Sequence, residues 1–294
     1  MERTTSRTVL ITGASRGIGE RTALRFAESG ARLVVVARGR AALEDVADRC
    51  RIAGAPDVLV LPADIGDPDA VRGVFDAALD RFGHLDVVVQ NASVAAFGRF
   101  TDIPAHVFDA VLRVNVLGAA SVCREALQHF RERGRGSLVV VGSLLGHAAV
   151  PLMSPYVMSK FAVTALVRIL RQETRADRDI TMHGIWPGAV DTAIYPLSAN
   201  YSGRLARVLP LNDPPDKMAR AIVDISSRRS RDRQVGLANR PMLLGYRLLP
   251  WAFDVMVRPM MGVLSFTRDR LDPTPGNVEA PTDVPAVARG HAPR

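Results

Sequence analysis

Residues 8–26 read TVLITGASRGIGERTALRF, and the order of events in them decides the fold. Thr8 to Thr12 is a short apolar and β-branched run, the signature of a buried strand. Gly13, Gly17 and Gly19 follow at once, and a helical pattern takes over from Gly19 to Glu28. Strand, glycine loop and helix in immediate succession build a phosphate site. The glycines permit a tight turn and let the backbone approach a pyrophosphate, whose charge is favoured by the amide groups of the helix N-terminus. A glycine motif by itself is a weak signal; this one stands in the context the chemistry requires.

Outward from this unit the alternation continues. Further strands are predicted at Arg32–Val36, Val58–Leu61, Val87–Gln90, Leu138–Val141 and Thr181–Ile185, with a short seventh at Gln234–Ala238. Near-continuous apolar runs such as Val87-Val88-Val89 suit parallel strands buried on both faces. Helices are predicted between them at Arg40–Cys50, Asp69–Phe82, Ala105–Arg131, Tyr156–Ala176 and about Pro215–Ser227, with Gly30 and Gly83 at helix-ending positions. The expected fold class is α/β, a doubly wound parallel sheet of about seven strands with helices on both faces and an extra C-terminal helical segment.

Composition narrows the classes. The chain has 294 residues, 48% hydrophobic and 23% charged, a profile for one large folded core. Cys50 and Cys123 make no disulfide framework, and no Cys/His cluster has metal-ligand spacing, so no metal is expected. The N-terminus lacks a charged-then-apolar leader, and the expected location is cytoplasmic. Net charge is +8 and the isoelectric point about 10.4. The excess is arginine scattered along the chain, without stacking aromatics or a groove helix, so nucleic acid is not an expected partner. Lysine occurs only at Lys160 and Lys217.

That scarcity gives weight to Tyr156-Val157-Met158-Ser159-Lys160. On a helix a phenol at i and an ammonium at i+4 share one face. An ordinary phenol ionises near pH 10, and a neighbouring positive charge is expected to lower that value and make Tyr156 a proton donor or acceptor. With four tyrosines and two lysines, a chance YxxxK arises roughly three times in a hundred. Ser143 lies thirteen residues earlier, at the end of the fifth strand, where strand ends face the ligand crevice.

TGxxxGxG at Thr12–Gly19 and YxxxK at Tyr156–Lys160 resemble the short-chain dehydrogenase/reductase family, and the likeness extends through most of the first 192 residues. It implies a Rossmann-type scaffold, hydride transfer between a nicotinamide cofactor and a carbonyl or alcohol, and a homodimer or homotetramer. Ser143, Tyr156 and Lys160 match the family's catalytic residues. Asn115 falls where the family keeps an asparagine that anchors a water chain to the lysine; its alternative role is a solvent-facing helix amide. Asp64, with Ile65 beside it, resembles the family's adenine contact. Asn91-Ala92-Ser93 resembles its NAG, with serine for glycine. Pro187-Gly188-Ala189-Val190-Asp191-Thr192 resembles its PGxVxT, which cradles the nicotinamide. Cofactor contacts are therefore expected from Gly13, Ser15, Arg16, Gly17, Ile18, Gly19, Arg38, Asp64, Ile65, Asn91, Ala92, Tyr156, Lys160, Pro187, Gly188, Val190 and Thr192.

The second strand decides between cofactors. An NAD site ends it with a carboxylate on the ribose hydroxyls. Here Val34-Val35-Val36-Ala37 reaches Arg38, and Arg16 supplies a second guanidinium. Guanidinium pairs bidentately with phosphate, so the expectation is NADP(H). The alternatives are an NAD-dependent alcohol dehydrogenase on the same scaffold, or an NADP(H)-binding sensor or scaffold protein without catalysis.

Three units are expected: a dinucleotide-binding and catalytic domain over 1–239, an amphipathic segment over 240–271, and a loose tail from Asp272 over 272–294. Residues 241–266, PMLLGYRLLPWAFDVMVRPMMGVLSF, fall beyond the sheet. Pro250 and Pro259 are expected to break the segment. It is open to three roles: a lid on an apolar substrate pocket, a subunit contact, or a peripheral membrane surface. The basic run Arg228–Arg233 reads as a solvated turn or an aid to membrane attachment. His147 is a candidate pocket residue.

Overall fold

The computed structural model describes residues 6–282. Seven parallel strands form one sheet: β1 (Thr8–Thr12), β2 (Arg32–Ala37), β3 (Val58–Pro62), β4 (Val87–Gln90), β6 (Gly136–Val141), β7 (Ile180–Pro187) and β10 (Asp232–Val235), while β5 (Ala96–Phe97) lies outside it. Their spatial order is β3-β2-β1-β4-β6-β7-β10. The chain builds outward from β1 to β3, returns to β4 and builds the other way. The order reverses between β1 and β4, and the carboxyl ends of the strands open a crevice there.

Side chains alternate across the sheet, as a two-residue period requires. Leu10, Val34, Val88 and Val140 join one core layer with α3 (Pro68–Phe82), α4 (Ala105–Leu112), α5 (Ala119–Arg133) and α6 (Ser154–Glu173). Val9, Ile11, Val35, Val89 and Val139 join the other, with α1 (Gly17–Glu28), α2 (Arg40–Ile52) and α8 (Pro215–Ile225). Both faces are covered, so both registers are apolar.

The predicted helix over 105–131 is continuous but contains a π turn, Arg113–Gly118, between α4 and α5. The last sheet strand lies two residues earlier than expected, at Asp232–Val235, paired on β7.

Beyond β7 come α7 (Ile194–Leu197), β8 (Ala199–Asn200) and β9 (Arg204–Ala206). After β10 come α9 (Asn239–Leu248), α10 (Pro250–Leu264) and β11 (Phe266–Arg270), the last antiparallel to β9. The segment breaks at Pro250, which opens α10, where a missing amide hydrogen costs nothing. Pro259 does not break it and sits inside α10. Val255, whose carbonyl loses its donor there, is an exposed residue.

The expected loose tail also needs correction over 272–282. Thr274 exchanges backbone hydrogen bonds with Asn200, and Asn277 N–H donates to the Leu197 carbonyl. Val278 is buried in the core. Positions 283–294 of that expectation lie outside the described residues.

Candidate active site

Two close contacts shape the first turn. Gly13 has φ +66°, and a Cβ there would lie 2.7 Å from Ala92 Cα. A Cβ on Gly19 would come within 2.1 Å of the Gly13 carbonyl oxygen. Neither position accepts a side chain. Asn91 stitches this turn to β4: its side-chain amide donates to the carbonyls of Thr12 and Gly13 at 3.1 and 3.2 Å. The Thr12 hydroxyl accepts from the backbone of Asn91 and Ala92 and donates to Gln90. Asn91 thus holds the loop as well as lining the crevice.

Helix α1 starts at Gly17 without a side-chain cap. Its first amides stand at the crevice wall beside Ser15, Arg16 and Ile18. Pro187, Gly188, Val190 and Thr192 form the facing wall, and a Cβ on Gly17 would meet Thr192 Cγ2 at 3.0 Å. Arg38, Asp64 and Ile65 line the far end. Uncapped helix amides, backbone walls and two guanidiniums suit a dinucleotide phosphate chain.

The tail crosses this far end. Arg38 donates to the carbonyls of Val278, at 2.9 Å, and Asn277. Arg16 donates to the Thr282 carbonyl at 3.3 Å. Glu279 pairs with His106. Burial holds the Arg38 guanidinium below its usual range, with the Asp64 carboxylate acting in the opposite sense.

At the other end, Ser143, two residues beyond β6, is extended and caps a short 3₁₀ turn, its hydroxyl accepting from Leu145 N–H at 3.1 Å. Tyr156 lies in the first turn of α6, started by Pro155, and Lys160 follows one turn later. All three side chains line the crevice. The Lys160 ammonium donates to the Val141 carbonyl at 3.3 Å and sits 5.4 Å from the centre of the Tyr156 ring.

The expected lowering of the phenol by the ammonium does not hold in this state. Burial pushes Tyr156 up to about 12, opposed by a hydrogen bond with Ser143, and pulls Lys160 down to about 8. Lys160 faces the ring and a carbonyl, leaving desolvation dominant. Tyr156 therefore holds its proton at neutral pH.

Asn115 is buried in the π turn, which excludes the solvent-facing role. Its amide donates to the Val94 carbonyl (2.8 Å) and the Ser159 hydroxyl (3.0 Å), and its carbonyl accepts from Val94 N–H and Ser93. The side chain thus reaches the neighbour of Lys160 rather than Lys160. Ser93 donates to Asn115, a contact glycine would lack.

His147 is not among the crevice residues; its ring packs edge-on against Trp186 at 4.8 Å. Tyr195, on α7, lines the crevice as well. It is half-buried, and desolvation raises its phenol above the usual range, with the neighbouring Tyr156 phenol acting in the same sense. Its helix has four residues, too few for a periodic pattern to single it out in the sequence.

A family profile described as short chain dehydrogenase matches residues 7–200. A versicolorin reductase of Emericella nidulans is 39% identical over 187 residues, 63% of this chain and 70% of that protein. YxnA, an uncharacterized oxidoreductase of Bacillus subtilis, is 30% identical over 256 residues, 86% of this chain and 72% of that one. Among solved structures, an alcohol dehydrogenase from the archaeon Thermococcus sibiricus complexed with 5-hydroxy-NADP aligns with TM-score 0.69 and 29% identity, over 79% of this chain and 96% of that one. Likeness of this extent, running through the glycine loop and α6, has one reading: the chain belongs to the short-chain dehydrogenase/reductase family and is an oxidoreductase that works with a nicotinamide cofactor.

Proposed function

We propose that the protein is an NADP(H)-dependent reductase of apolar carbonyl compounds. The cofactor supplies the hydride at its nicotinamide ring. Tyr156, half-buried and protonated, gives its proton to the carbonyl oxygen as negative charge develops there. Ser143 lines the crevice beside that phenol and lowers its pKa, so it can hold the same oxygen. Lys160 keeps a positive charge beneath the ring, and Asn115 positions it by fixing Ser159.

The observation that carries the cofactor choice is Arg38. It stands immediately after β2, where a carboxylate would select NAD, and faces the same crevice as Arg16. The ligand of the archaeal alcohol dehydrogenase supports this reading. An apolar substrate is supported by Val94, Ile194, Tyr195 and Leu197 along the crevice. Exposed Leu117, Phe161 and Ile169 on α6 and the π turn suit self-association, so we infer a homo-oligomer as the working form.

The test is kcat/KM with NADPH and NADH, before and after Arg38→Asp. The wild type should prefer NADPH, and the variant should lose that preference. A wild type that prefers NADH overturns the assignment.

A further inference from the structure

Helices α9 and α10 present two unlike faces. Inward, Met242, Phe253, Val257 and Met261 join a core cluster with Val150, Met153 and the ring of Tyr156. Outward, Leu244, Leu248, Trp251, Val255, Met256 and Val263 are each more than half exposed. A folded chain rarely leaves so contiguous a run of large apolar groups in water without a partner.

Charge identifies the partner. Across α9 and α10 the chain carries three arginines, Arg240, Arg247 and Arg258, and one carboxylate, Asp254. Arg240, Arg247 and Arg258 are exposed around the apolar face. Arg247 follows Leu244 by three residues, and Arg258 follows Val255 by three, so each lies beside it on the helix surface. A second copy related by two-fold symmetry would set this basic rim against itself. Anionic lipid headgroups match it. The helices have 10 and 15 residues, too short to span a bilayer, for which about 20 are needed, but suited to lying in its surface. Trp251, 73% exposed, has the amphipathic ring favoured at that boundary. The one helix long and apolar enough to span, Ala105–Arg133 among the described residues, has half its apolar window buried inside the fold.

We propose that the outer face of α9–α10 rests on an anionic membrane surface. Its inner face reaches the cluster containing Tyr156, so seating would bring the crevice beside a lipid phase able to deliver an apolar carbonyl. This last step rests on the reductase reading; the lipid contact does not.

The chain has two tryptophans, and Trp186 is 2% exposed, so changes in fluorescence report Trp251. The experiment mixes full-length protein with vesicles of phosphatidylcholine, alone or with equal phosphatidylglycerol, reading co-sedimentation and emission wavelength. Binding and a blue shift are expected with the anionic vesicles alone. Replacing Arg240, Arg247 and Arg258 by Gln should weaken binding about tenfold or more. Leu248→Ser with Val255→Ser should abolish it while circular dichroism stays unchanged. Three results overturn the proposal: no binding to either vesicle, equal binding to both, or a lipid-free blue shift that grows with protein concentration as light scattering shows the mass double. The last would assign the face to a second copy. None depends on turnover, so a failed reductase assignment would leave this result readable.

Discussion

The two ends of the crevice are built differently. At the catalytic end, Ser143, Tyr156 and Lys160 are placed by one strand terminus and one helical turn, and the nearest backbone fixes them: Leu145 N–H on Ser143 and the Val141 carbonyl on Lys160. At the adenosine end, Arg38 and Arg16 are engaged by carbonyls of Asn277, Val278 and Thr282, from the far end of the described chain. The contrast separates rigid chemistry from exchangeable binding. Groups that move a proton must hold their geometry between turnovers. A guanidinium that selects a phosphate can trade one set of oxygens for another.

Perturbing the rigid end should give the largest effects. Lys160→Met removes the charge beneath the Tyr156 ring and should lower kcat about 10²–10³-fold in steady-state assays with NADPH and a reducible ketone. A fall below about threefold would mean the ammonium is structural.

The exchangeable end should respond through binding. Arg38→Asp should reduce kcat/KM for NADPH by about 10²-fold, because a charge-assisted pair is lost and a carboxylate faces the phosphate. The value for NADH should stay level or rise.

Titration separates the ends without mutation. Burial lowers Lys160 to about 8 while Tyr156 is pushed up to about 12. Below about 8 the lysine holds its charge in the cofactor-free protein, and above it the charge is lost with the phenol still protonated. The pH profile of kcat/KM for NADPH should be flat near neutrality and fall up to about tenfold per pH unit on the alkaline side. Lys160→Arg should move that limb upward.

The smallest effect concerns the tail. A chain ending at Leu271 releases Arg38 from the Asn277 and Val278 carbonyls, and its apparent Kd for NADPH should fall a few-fold, because a larger fraction of molecules is ready to bind. Calorimetry reads this directly. Weaker binding would make the tail part of the cofactor site instead.

The same division explains what could be read beforehand. Strand positions followed from apolar runs buried on both faces, and Tyr156 with Lys160 followed from helical periodicity; both are local properties of the chain. Resemblance marks Asn115, but its link to Ser159 depends on the π turn, which no spacing announces. Tyr195 lines the crevice because tertiary packing sets α7 against it. Pro259 persists in α10 because its helix turn faces outward. The clasp of Arg38 on Val278 joins positions 240 residues apart. Local periodicity carries no information on such a pairing.

In the proposed reaction Tyr156 delivers the proton while the cofactor delivers the hydride. Its most direct test is a single-turnover experiment in which protein loaded with NADPH is mixed with a panel of aromatic and aliphatic ketones and the NADPH absorbance is followed. The wild type should show a rapid absorbance loss that slows with C4-deuterated NADPH. Tyr156→Phe, binding NADPH as tightly, should lose that phase by about 10²–10⁴-fold. An unchanged rate in Tyr156→Phe would mean that another group supplies the proton.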